Sequence, residues 1–133
     1  MKAALVLLSV IACALAQLPP EERQKLREIH ATCQSDPVTY VEKEKVKKMD
    51  QYADDPQLGA HLLCMAIKLG CATEKGLIDR DVVRSKIDLV TPDKSKVDAL
   101  LEKCAVQQET PEKTAVFICL CFKKNGVQYY PGA

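Results

Sequence analysis

Apolar positions recur along this chain at helical rather than strand spacing. In "LPPEERQKLREIHATC", Leu26, Ile29 and Cys33 stand at i, i+3 and i+7 behind Pro19-Pro20 and an acidic first turn, which predicts a helix. After Pro37 the inward positions thin to Val38, Val41, Val46 and Met49 before "DQYADD" interrupts them, so a second helix there has little to bury. After Pro56, Leu58, Leu62, Met65 and Leu69 make one stripe, and Leu63, Cys64, Ala66 and Ile67 fill most of the remainder up to a stop at Gly70. A helix apolar nearly all round belongs at the centre of a bundle. Asp79 is placed to cap a fourth helix with Val82, Val83, Lys86, Ile87 and Val90 at helical spacing, although β-branched residues lower its propensity. A fifth carries Val97, Leu100, Leu101 and Cys104 on one face and Lys94, Asp98 and Glu102 on the other. The last runs from Pro111 through Ala115, Val116, Phe117, Ile118, Leu120, Cys121 and Phe122 to "KKNG", which supplies cations and an Asn-Gly stop.

Four dipeptides punctuate the chain alike: Asp36-Pro37, Asp55-Pro56, Thr91-Pro92 and Thr110-Pro111. Each offers a capping side chain followed by a proline suited to a first helical turn, so each is expected to open a helix. No alternating strand pattern, internal repeat or low-complexity linker appears. The fold class these patterns predict is all-α, a compact six-helix bundle.

Charge and the chain start narrow the setting. Met1-Lys2, the apolar run Ala3 to Ile11 and the small-x-small Ala14-Leu15-Ala16 predict a signal peptide over 1–16 and a single helical domain over 17–133. The predicted product is secreted and extracellular. Its charges balance and are interspersed, since the whole chain carries 19 basic and 18 acidic side chains and Lys2 leaves with the leader. That excludes nucleic acid as a natural partner, and "EKEKVKK" reads as a solvated helix face.

Loss of Cys13 with the leader leaves Cys33, Cys64, Cys71, Cys104, Cys119 and Cys121, an even set in a small secreted chain, which implies disulfides. There is no C-x2-C, and His30 and His61 show no ligand spacing with the cysteines, so neither a metal nor a redox motif is expected. Cys119 and Cys121 cannot pair with each other, because residues two apart on a helix point about 200° around it. No serine, histidine and acid constellation can be placed, so no catalytic residue and no cofactor is expected. His30 and His61 read either as pH-sensing groups or, more simply, as partly exposed helical side chains. Aliphatic residues exceed what a tight small core needs, and there are no tryptophans among few aromatics.

The positions of Cys33, Cys64, Cys104 and a last-helix cysteine, with "CMAIKLG", "GLID" and "KVDALLEKCAVQQETPEKTA", resemble insect odorant-binding proteins of the pheromone/general odorant-binding family. Ala60 stands where that family has its second cysteine, and Glu112 or Thr110 where it has its fifth. Those two are crosslinked to each other in the family, so their joint loss resembles its Minus-C subgroup, and beetle haemolymph and accessory-gland carriers within it. The resemblance implies bridges Cys33–Cys64 and Cys104–Cys121, with Cys119 on the other side of its helix, toward core or cavity. Cys71 and Cys119 are then either buried thiols or a replacement third bridge.

The resemblance also implies a disulfide-linked bundle enclosing an apolar cavity for a small hydrophobic ligand such as an odorant, pheromone or lipid. It further implies delivery to an olfactory receptor or other membrane acceptor, and a monomer or weak homodimer. Helix periodicity together with this resemblance selects Ile29, Met49, Leu62, Met65, Ala66, Leu69, Val83, Ile87, Leu100, Val116, Phe117 and Leu120 as the candidate wall. The tail "VQYYPGA" is either a frayed end or a cover, with Tyr129 or Tyr130 offering a hydroxyl. The competing reading is a secreted helical protein that carries nothing, acting through protein contacts or, like a saposin, on membranes.

Overall fold

Six α-helices form in the computed structural model, which describes residues 18–127 and residue 129: α1 (Pro20–Ser35), α2 (Lys43–Lys47), α3 (Pro56–Leu69), α4 (Arg80–Val90), α5 (Val97–Cys104) and α6 (Pro111–Lys124). Short 3-10 turns at Met49–Gln51 and Lys94–Lys96 precede α3 and α5. The expected leader and Tyr130 lie outside the described residues. No strand forms among the described residues, and a single bridge between Ala72 and Ile78 closes the loop from α3 to α4. The fold is all-α.

Local chemistry explains where the helices begin and end. Asp55 accepts the Leu58 N–H at 2.9 Å and Thr110 accepts that of Lys113 at 3.1 Å, each with proline in the first turn. Asp79 caps α4 through the Val82 N–H at 3.2 Å. Gly70 ends α3 in the left-handed region at φ 81°, its N–H returning to the Ala66 and Ile67 carbonyls.

The other two dipeptides do not open helices. Asp36 is the residue that ends α1; its carboxylate accepts the Val38 N–H at 2.9 Å, while the Thr39 hydroxyl donates back to the Cys33 carbonyl at 2.7 Å. The chain therefore makes one tight turn, Val38 is left 77% exposed instead of facing inward, and α2 starts only at Lys43. Thr91 likewise ends α4, and Asp93 takes over the capping by accepting the Ser95 N–H at 3.0 Å.

The helices enclose three apolar clusters. One joins Leu18, Leu26, Cys33, Met65, Val90, Val127 and Tyr129. A second joins Val41, Val46, Met49, Leu58, Leu62, Ala115 and Val116, and a third Val83, Ile87, Val97, Leu101 and Ala105. Disulfides Cys33–Cys64 and Cys104–Cys121 tie α1 to α3 and α5 to α6, and Cys71 and Cys119 are free thiols.

The loop between α3 and α4 is pinned against the start of α6 at Gly76. Its φ is +80°, and a Cβ there would sit 2.2 Å from the Cβ of Pro111. Gly76→Ala is expected to lower the unfolding free energy by about 2 kcal/mol, from left-handed strain plus displacement of the loop. A urea midpoint unchanged from the parent protein would contradict this contact.

Candidate functional site

The three clusters do not close on one another, and a cavity of about 610 Å³ remains where they meet. Its wall draws Leu62, Leu63, Met65, Ala66 and Leu69 from α3, and Pro111, Thr114, Ala115, Ile118, Cys119 and Phe122 from α6. These are helical stripes, one face of each helix. Val46 and Met49 close one side, Val83 and Lys86 of α4 another, and Cys71, Ala72, Gly76 and Ile78 come from the α3–α4 loop. Leu18, Val127 and Tyr129 bring the two ends of the described chain onto the same wall.

Of the residues expected to form the wall, Met49, Leu62, Met65, Ala66, Leu69 and Val83 line the cavity. Ile29, Ile87, Leu100, Val116, Phe117 and Leu120 do not, and each has a packing reason. Ile87 is fully buried against Val97 and Leu101, because that side of α4 faces α5. Leu100 belongs to α5, which contributes nothing to the wall, and packs against the buried cluster of α4 and α5. Ile29 packs against the cluster of α1 and the tail. Val116 and Leu120 pack into the cluster with α2 and α3, and Phe117 is half-buried outside all three clusters. On α6 the difference is one of rotation: at about 100° per residue, Val116, Phe117 and Leu120 lie opposite Ala115, Ile118, Cys119 and Phe122.

The polar part of the wall is built around α1, α4 and the tail. Lys86 donates to Glu22 at 2.5 Å, with side chains only 12% and 16% exposed. The Tyr129 hydroxyl donates to the same carboxylate oxygen, and the Lys86 ammonium lies 5.8 Å from the Tyr129 ring centre. Burial pushes the Glu22 carboxyl up, but hydrogen bonds from Lys86 and Tyr129 and the charges of Lys86 and Lys25 outweigh it and hold it below the usual carboxylate range. Burial, then Glu22 itself, pushes the Tyr129 phenol well above its ordinary value. Tyr129 is thus fixed in the core as an acid's partner rather than frayed.

Cys71 and Cys119 both face the cavity, and burial pushes their thiols up to about 11 and about 12. At neutral pH they are small apolar wall groups, not nucleophiles. Among the described residues no cluster of histidine, cysteine and acid could hold a metal.

The histidines sit behind the wall, one turn before each cysteine of the α1–α3 bridge. Their rings meet edge-to-face at 5.0 Å. His61 is fully buried, not partly exposed as its helical setting suggests. Its Nδ1 lies 2.9 Å from the Thr39 carbonyl, which can only accept, so Nδ1 carries the proton. Burial lowers the pKa of both rings, and for His61 this and the nearby His30 prevail over the Thr39 hydrogen bond. Both are therefore neutral in the folded chain where the unfolded chain would begin to protonate. Their contribution to stability is complete above about pH 6.5 and is lost as pH falls through the lowered folded values. The urea midpoint is expected to fall between pH 7.5 and 5.5, and His61→Gln to flatten that fall; equal slopes would contradict the pair's role.

A model of the PBP/GOBP family matches residues 15–125. The B2 protein of Tenebrio molitor is 30% identical over 121 residues, covering 91% of this chain and 94% of the relative. The B1 protein of the same beetle is 28% identical over 121 residues, covering 91% and 93%. No solved structure gives a significant match.

Proposed function

The chain belongs to the PBP/GOBP family, and from that premise we propose that it is a secreted carrier that holds small hydrophobic molecules noncovalently in the central cavity. The observation that carries this reading is the cavity itself, about 610 Å³ with walls from five of the six helices. That volume falls in the range of small-molecule sites, about 300–1,000 Å³. Each CH2 moved from water into such a wall gains about 0.8 kcal/mol, so an aliphatic chain of medium length reaches micromolar affinity without any covalent step. Secretion rests on the leader pattern of residues 1–16. No helix among the described residues is long and apolar enough to cross a membrane. Members of the family are binding proteins rather than enzymes, and the cavity offers wall thiols held protonated.

Titration with the apolar fluorophore N-phenyl-1-naphthylamine tests the carrier directly. Saturable one-to-one binding, displaced by aliphatic alcohols, esters or acids, is the expected result. Absence of saturable binding across such a panel, or lysis of lipid vesicles in its place, would overturn the reading in favour of a membrane-active protein.

A further inference from the structure

Every charged side chain on the cavity wall is a cation: Arg23, Lys47, Lys86 and Lys123. This is notable in a chain whose 19 basic and 18 acidic residues are otherwise balanced. Glu22, which reaches the wall through Lys86 and Tyr129, is already matched by them, so it brings no uncompensated negative charge. Arg23 follows Glu22 on α1, is exposed, lines the cavity and makes no ion pair with a described residue. Its guanidinium fork matches a carboxylate in two parallel hydrogen bonds. The Lys86 ammonium has three N–H donors, of which the Glu22 oxygen takes one. Thr114, Cys71, Cys119 and Tyr129 complete the polar wall, and none of them is ionised near neutral pH.

We infer that the cavity is built for an amphipathic anion, an aliphatic chain ending in a carboxylate, with Arg23 and Lys86 receiving the head group and the α3–α6 stripes the tail. The inference rests on the carrier reading and narrows it. An alcohol or ester of the same length gains the apolar contact but not the charge, and an amine is repelled by the wall.

Dodecanoic acid, 1-dodecanol, methyl dodecanoate and dodecylamine, each below its aggregation threshold, can be compared by displacement of the same fluorophore at pH 7.5. The acid is expected to bind at least about tenfold tighter than the alcohol or ester and the amine most weakly, the acid's advantage shrinking in high salt. Arg23→Gln, at an exposed position that leaves the fold intact by circular dichroism, is expected to remove most of that advantage. Affinity for 1-dodecanol is expected to fall far less than affinity for the acid. Lys43→Gln, on the exposed side of α2 away from the cavity, is expected to change neither and so separates a local head-group site from overall charge. Equal affinity for acid and alcohol, or an Arg23→Gln protein that keeps the acid preference, would overturn the inference while leaving the carrier intact. Failure of all four compounds to bind would overturn both.

Discussion

Replacing Cys33 and Cys64 together by alanine is expected to lower the unfolding free energy by about 4 kcal/mol, and replacing Cys104 and Cys121 by about 3 kcal/mol. The difference follows from chain length: the first bridge closes 31 residues and the second 17, and a longer closed loop removes more freedom from the unfolded chain. Packing adds to both values, because Cys33 and Cys104 are each fully buried and either alanine pair leaves unfilled space between its helices. Guanidinium unfolding of the two double variants measures both losses. A loss below about 1 kcal/mol for the α1–α3 bridge would mean that α1 is held by its apolar face alone.

Ala66→Trp is expected to weaken binding of aliphatic ligands by well over tenfold while leaving the fold intact. Ala66 is half-buried on α3 and faces the cavity. An indole there takes the space of several CH2 groups, each worth about 0.8 kcal/mol to the ligand, and about 1.4 kcal/mol already makes a factor of ten. The chain contains no tryptophan, so the new side chain is also its own reporter. Blue-shifted emission shows that the indole lies in the cavity. Blue-shifted emission together with undiminished affinity would place the ligand elsewhere.

Helix ends were readable wherever one side chain had one task. Asp55, Asp79 and Thr110 cap the helices that follow them, as their positions in the sequence suggest. Asp36 and Thr91 carry the same local signal but end the preceding helices, and nothing within two residues reveals which neighbour claims them. On α3 the stripe Leu58, Leu62, Met65 and Leu69 gives the helix a phase, and three of its members line the cavity beside Ala66. On α6, apolar residues surround the axis and periodicity has no phase. Its rotation comes from Cys121 reaching Cys104, a tertiary fact. One usable signal was Cys119: taking its face, four residues back to Ala115 and three on to Phe122, selects the cavity side. Ile118 and Phe122 were missed for want of that reference. Lys47 reads in sequence as part of a solvated helix face and Arg23 carries no signal, because an isolated cation at a cavity rim has no pattern in sequence.

The most direct test of a ligand held between α3, α4 and α6 is a methyl NMR titration with a saturated aliphatic ligand. The predicted shifts concentrate at Leu62, Met65, Leu69, Val83 and Ile118, which line the cavity. Exposed Val38, Leu77, Leu89 and Val106 should stay still. Shifts centred on those exposed methyls, with the cavity methyls unmoved, would contradict the account.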